Sequence, residues 1–264
     1  AFLARHRSIT DSADAFVINL LHSYADGTDE TFIETRLQER YPEKPITSSH
    51  AIAPIFREYE RLSTASVNAY LSPIMGTYLK RLKARLSDPS SARSEPDVAL
   101  MGSSGGLISV EEAASSPVHT VLSGPAGGVR GAWSVGRRNG RGRLLTLDMG
   151  GTSTDVSVVL EDLVPHDSGF IDNLPIRVPL LPIETVGAGG GSIARLDDGG
   201  ALRVGPQSAG ALPGPACYAR SGELRLATVT DANAILGRIP SLLGGDFQLD
   251  IQRSREAIAS LASN

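Results

Sequence analysis

The chain has 264 residues, 41% of them apolar and 20% charged, with a formal net charge of −4. That balance excludes a disordered or collagen-like chain, and a net acidic protein is a poor match to nucleic acid. A single cysteine, Cys217, excludes an internal disulfide framework and a multi-cysteine zinc site. No apolar run approaches the roughly 18–20 residues that span a bilayer, so no membrane partner is expected. Residues 1–7 lack the apolar core of a leader peptide, and the expected compartment is the cytoplasm.

Residues 16–21 read as a short buried strand. Residues 28–40 read as an amphipathic helix opened by Thr28 or Asp29, with Phe32, Ile33 and Leu37 on one side. Pro42 and Pro45 end it, and residues 46–52 read as a second strand. The clearest helix follows. Val67, Tyr70, Leu71, Ile74, Met75, Tyr78, Leu79, Leu82 and Leu86 recur at helical spacing. Pro73 lies inside that pattern, so a kink or break is expected there. Lys80, Arg81, Lys83 and Arg85 mark its solvated far face. Residues 87–96 are a polar, Pro/Ser-rich loop.

From residue 98 the pattern alternates. A strand over 98–101 ends in Gly102-Ser103-Ser104-Gly105-Gly106. Ser109 and Glu112 have capping-box spacing at the start of a short helix. Ser123-Gly124-Pro125-Ala126-Gly127-Gly128 opens a small-residue helix that runs through Trp133. Residues 143–148 and 156–160 are two strands close enough in sequence to form a hairpin. Short strands are expected up to about residue 225, and residues 253–262 form an amphipathic helix.

Chemistry concentrates between the hairpin strands. An apolar strand delivers Asp148, Gly150 and Gly151 turn the chain, Thr152, Ser153 and Thr154 supply hydroxyls, and Asp155 precedes the next strand. Glycines in a turn expose backbone N–H groups, a nest suited to phosphate oxygens. Carboxylates so close to phosphate make sense when Mg²⁺ stands between them. A plain Gly-Gly hairpin explains neither the hydroxyl run nor the acid that ends a buried strand.

A second glycine cluster, Gly187-Ala188-Gly189-Gly190-Gly191-Ser192, would let a flat ligand such as a purine lie against main chain. The run at 123–128 either aims helix N–H groups at a cleft or packs a helix closely on a sheet. Asp231, in Thr230-Asp231-Ala232-Asn233, reads as an N-cap. The histidines at 6, 22, 50, 119 and 166 show no metal-ligand spacing, and no Gly-x-Ser-x-Gly elbow is present. Cys217 has no histidine nearby in sequence and reads as a buried bystander.

The segment Asp148-Met149-Gly150-Gly151-Thr152-Ser153-Thr154-Asp155 resembles the second phosphate loop of the hydantoinase A/5-oxoprolinase family, part of the actin-like ATPase superfamily. Leu20-Leu21-His22-Ser23-Tyr24, Arg57-Glu58-Tyr59-Glu60-Arg61, Asn68-Ala69-Tyr70-Leu71-Ser72-Pro73 and the glycine and Thr230-Asp231-Ala232-Asn233 segments resemble its other signatures, in its order.

The resemblance implies an α/β fold of the ribonuclease H-like type, a mixed sheet with helices on both faces. It also implies ATP-dependent chemistry with Mg²⁺ on a cyclic amide or ketone carbonyl. Asp148 and Asp155 would be the catalytic carboxylates, with Asp148 on the metal. Gly150, Gly151, Thr152, Ser153 and Thr154 would hold phosphate, and Gly187, Gly189, Gly190, Gly191 and Ser192 the adenosine side. A hydantoinase B-like subunit would be the partner. The family's first phosphate loop has no counterpart here. The expectation is therefore a central fragment, inactive alone, with residues 1–60 the tail of a first lobe and 61–264 the second. Sugar or acyl kinases, acetone and acetophenone carboxylase subunits, and non-catalytic actin-like proteins are the alternatives.

Overall fold

The computed structural model describes residues 5–86, 98–171, 173–220 and 226–263; the loop expected over 87–96 lies outside them. Helix α1 (Arg7–Ser12) precedes strand β1 (Phe16–Ile18), and helix α2 (Thr28–Arg40) connects β1 to a parallel strand β2 (Ile46–Ser48). Parallel neighbours need such a crossover. Ile18, Leu37 and Tyr41 form its core, flanked by Phe16, Leu20, Ile33 and Ile46. The second predicted strand is shorter than expected, because residues 49–52 turn into helix α3 (Ser49–Ile52). Nor does Thr28 or Asp29 cap α2. The cap position is Gly27, whose neighbour Asp26 accepts the Thr28 amide at 3.0 Å.

That turn into α3 serves a buried polar network. Glu30 is fully buried on α2. Its carboxylate accepts from the Leu20 amide at 2.8 Å, Ser23 Oγ at 2.6 Å, Ser49 Oγ at 2.7 Å and the His50 amide at 2.9 Å. Arg61, equally buried, donates to Ser49 Oγ at 2.9 Å and to the carbonyls of Ile55 and Leu20. Two buried charges are tolerable only when satisfied in this way.

Arg61 belongs to helix α4 (Glu58–Leu86), which passes through Pro73 without a break. Just before the proline, Ser72 Oγ donates to the Asn68 carbonyl at 2.7 Å. The helix faces differently from its apolar periodicity. It buries Ala65, Asn68, Ala69, Ser72 and Leu79 and leaves Tyr70 and Ile74 exposed at 74% and 59%. Small residues let its backbone lie close to β2, where Asn68 Nδ2 donates to Thr47 Oγ1 and Asn68 Oδ1 accepts the Val118 amide. Strands β3 (Ala99–Met101) and β4 (Leu107–Ser109) form a hairpin. Ser109 Oγ then accepts the Glu112 amide at 3.0 Å and starts helix α5 (Val110–Ser115). The run at 123–128 lies inside helix α6 (Ser123–Arg138), where Gly127 faces Met101.

Strands β5 (Arg143–Met149) and β6 (Thr154–Leu160) pair antiparallel over their whole lengths, from Arg143↔Leu160 to Met149↔Thr154. Strands β7 (Gly169–Ile171) and β8 (Leu174–Ile176) form another hairpin. Val118, Ile176, Val178 and Leu180 pack as a second core. Strand β9 (Glu184–Val186) adds to β6, giving the order β5-β6-β9. Strands β10 (Ser192–Leu196) and β11 (Leu202–Ser208) form an antiparallel pair. Helices α7 (Val229–Ile235) and α8 (Ile251–Ala262) follow. The chain divides into two compact units, Ala1–Arg138 with Glu161–Pro182, and Asn139–Leu160 with Ile183–Asn264.

Candidate functional site

All the residues singled out for phosphate and purine lie in the second unit. The β5–β6 ladder places Asp148 directly opposite Asp155 and closes through a turn in which the Gly150 amide donates to the Ser153 carbonyl at 2.9 Å. Asp148, Gly150, Gly151 and Thr152 are all exposed. A Cβ at Gly151 would meet nothing within 4 Å, and neither turn glycine has a positive φ. Packing therefore does not demand glycine at 151; its absent side chain leaves the main chain open to solvent. Among the described residues, no backbone hydrogen bond takes the amides of Gly151, Thr152 or Ser153. The turn thus carries amides without a backbone acceptor at the exposed end of a hairpin.

Like charges directly opposite one another on neighbouring strands destabilise a sheet. Asp148 and Asp155 stand so, at the base of the donor turn. Thr185 on β9 lies across from Asp155 and donates its hydroxyl to Asp155 Oδ1 at 2.6 Å. That bond fixes one carboxylate oxygen of Asp155. Nothing in the spacing of Thr185 distinguishes it; its role appears only when β9 pairs with β6.

The second glycine cluster is brought directly onto the turn. The Gly190 amide donates to the Gly150 carbonyl at 3.0 Å and the Gly191 amide to the Gly151 carbonyl at 2.6 Å. A Cβ on Gly189 would lie 2.7 Å from the Gly151 carbonyl carbon and the Thr152 nitrogen. At Gly190 it would lie 2.7 Å from Thr230 Oγ1, and at Gly191 2.9 Å from the Gly151 carbonyl oxygen. Gly187 lies against Pro206. Glycine at 189 and 191 is thus a requirement of main chain packed on main chain, and at 190 of the close Thr230 hydroxyl. Ser192 is fully buried, and its Oγ accepts the Gly189 amide at 2.8 Å.

Asp231 caps, though from a different position than expected. Thr228 is the N-cap of α7 and Asp231 is the third helical residue, each bonding back to the other in a capping box. Asp231 is fully buried and also accepts from the Ala216 and Cys217 amides and from Ser254 Oγ. Burial pushes its carboxyl up, but these hydrogen bonds outweigh it and hold the pKa below the usual carboxylate value. Cys217 is buried and free, its thiol pushed up to about 12 by burial and by the charge of Asp231. Such a thiol stays protonated and unreactive. Among the described residues no group of three or more His, Cys, Asp or Glu could hold a metal by itself, and no helix is long and apolar enough to cross a membrane.

The family model for hydantoinase/oxoprolinase matches residues 61–264. The chain is 38% identical to caprolactamase subunit alpha of Pseudomonas jessenii over 93% of its own length, and 39% identical to 5-oxoprolinase 1 of Arabidopsis thaliana over 92%. It spans 35% of the first relative and 19% of the second. The crystal structure of an ATP-dependent caprolactamase from P. jessenii superposes with a TM-score of 0.76 at 36% identity, covering 98% of this chain and 37% of that one. A likeness this strong in sequence and in fold, over nearly the whole chain, makes it a member of the hydantoinase/oxoprolinase family with the fold seen in that caprolactamase.

Proposed function

We propose that this chain is the nucleotide-binding part of an ATP-dependent cyclic amidohydrolase. In that reaction the γ-phosphoryl group of ATP passes to the amide oxygen and ADP leaves. Water then adds at the activated carbon and the C–N bond breaks with the amine as leaving group, giving an acyl phosphate. A second water hydrolyses that to phosphate and the ring-opened amino acid. The observation that carries the reading is the exposed donor turn at 150–153, with two facing carboxylates at its base and a glycine loop packed along it.

The residues present fit Mg²⁺ with phosphate. The facing pair Asp148 and Asp155 gains from a cation, and the open space at Gly151 admits an anion next to free amides. Asp148 would hold the metal, and Asp155, fixed by Thr185, would orient water bound to it. When bound, Mg²⁺ neutralises phosphate charge. The amides of Gly151, Thr152 and Ser153 and the hydroxyls of Thr152 and Ser153 would bind phosphate oxygens; Thr154, buried and paired to both neighbouring strands, would support the turn rather than touch phosphate. Gly187 and Gly190 would line the adenosine side, while Gly189 and Gly191, buried against the turn, and the fully buried Ser192 hold that loop in shape.

The remaining parts of the reading extend to the longer protein. Residues 1–60 would belong to a first lobe and 61–264 to a second. A hydantoinase B-like subunit would supply the partner; the relative in P. jessenii is itself named as a subunit. An ATP-dependent enzyme of this kind would work where ATP is plentiful, which fits the cytoplasm.

Titration calorimetry of the chain with Mg·ATP and Mg·ADP tests the site. Binding is expected, and Asp148→Ala should abolish it while the fold persists by circular dichroism. Binding that survives this change unaltered would put the nucleotide elsewhere.

A further inference from the structure

We propose that Thr154 and Thr230 are positioning residues that lock the glycine loop against the donor turn, so that the two form one preformed cradle. The proposal rests on the nucleotide reading above for its purpose, though not for its geometry. Thr154 sits in a run of hydroxyls that resembles a row of ligand donors. Its own hydroxyl, however, is buried and donates to the Ala188 carbonyl at 2.5 Å. Thr230, also buried, donates to the Gly190 carbonyl twice, from its amide at 2.7 Å and from Oγ1 at 2.8 Å.

The loop is therefore held from both sides in alternation. The carbonyls of Ala188 and Gly190 are taken by the two threonines. The amides of Gly190 and Gly191 point the other way, onto the carbonyls of Gly150 and Gly151. Removing the Thr154 hydroxyl frees the Ala188 carbonyl, and removing that of Thr230 leaves the Gly190 carbonyl with the Thr230 amide alone, so in each case the amides that grip the turn lose part of their backing. The capping box of Thr228 and Asp231 adds the anchor for Thr230, since it fixes the first turn of α7 on which Thr230 stands. Preorganisation of this kind is what keeps donor groups on a flexible turn aimed at one place.

The test reads the loops directly. Amide hydrogen exchange, followed by mass spectrometry, is measured over 147–155 and 186–192 in the chain and in Thr154→Val, Thr230→Val and the two Ser variants. Both Val variants should speed exchange in both segments, roughly threefold to tenfold, the range one ordinary hydrogen bond gives. Exchange in β10 and β11 away from the loop should stay as in wild type, and the Ser variants should restore protection. Where valine is not tolerated and β11 also opens, Thr→Ala at the same position replaces it. Unchanged exchange in the Val variants, or loosening of one segment without the other, overturns the proposal. Affinity for Mg·ATP is measured on the same samples and should fall in step with protection. A wild-type chain that shows no nucleotide binding, yet loosens in both segments when the hydroxyls go, would defeat the nucleotide reading and leave the clamp standing.

Discussion

Gly151 and Gly189 are two glycines of one site with opposite reasons for being glycine. A methyl group at Gly151 enters open space, whereas at Gly189 it lands 2.7 Å from main-chain atoms of the facing turn that cannot rotate away. Gly189→Ala should therefore destabilise the fold by about 1–3 kcal/mol, as overpacking does. Gly151→Ala should leave stability within about 0.5 kcal/mol and weaken Mg·ATP binding. Urea unfolding and calorimetry on the two variants separate the effects; equal stability loss in both would show that the turn is packed more tightly than its open face indicates. At this scale the sequence was legible where chemistry is local. A carboxylate, two glycines and hydroxyls in one stretch are visible without a fold. The roles of Thr185 and Thr230 were not, because each acts on a residue 30 or 40 positions away. The same holds for Gly189 to Gly191, whose glycine requirement is set by a surface that folding brings to them.

Among the elements, the βαβ unit carries a marked dependence on pH. Burial acts to raise the Glu30 pKa, but hydrogen bonds from Ser23, the amides of His50 and Leu20, and Ser49 overcome it and lower the value from 4.5 to about 2. A folded-state pKa below the unfolded one stabilises above the unfolded pKa, and the gain disappears as pH falls through the folded one. Glu30 should thus contribute about 3 kcal/mol near neutral pH, lost between about pH 4.5 and pH 2. Glu30→Gln should be destabilised at pH 7 and converge on wild type towards pH 2. Urea unfolding at several pH values checks this, and a gap that stays constant from pH 7 to pH 2 refutes it. The elements themselves were readable in proportion to how far a repeating pattern specified them. The β5–β6 hairpin followed from two apolar runs joined by a glycine turn. Helix α4 followed from its period, but which side it buries did not. Close approach to β2 favours Ala65, Asn68, Ala69 and Ser72 over the larger apolar face, and the partner surface decides that.

For the whole molecule, the governing fact is that the chain spans 35% of the caprolactamase subunit and 19% of the plant 5-oxoprolinase that it resembles. Phosphoryl transfer depends on positioning and on charge stabilisation from every side of the transferred group. The site described here supplies one side: donors from the turn at 150–153, and a pair of carboxylates. It contains no arginine or lysine placed against the turn by any hydrogen bond or ion pair found among the described residues. Nucleotide contact and turnover should therefore separate in this chain. The isolated polypeptide is expected to bind Mg·ATP and to release no phosphate above the rate of its Asp148→Ala variant. A longer protein that includes the rest of the relatives' length, together with a partner subunit, is expected to hydrolyse ATP and to do so faster when a cyclic amide is added. Phosphate release measured on the chain, on its variant and on that assembly decides the matter. Turnover by the isolated chain, lost on substitution of Asp148, would mean that a single unit assembles the whole reaction centre. Equal, negligible rates in the chain and its variant, with amide-stimulated hydrolysis in the assembly, would assign binding to this unit and the completing charges to the remainder.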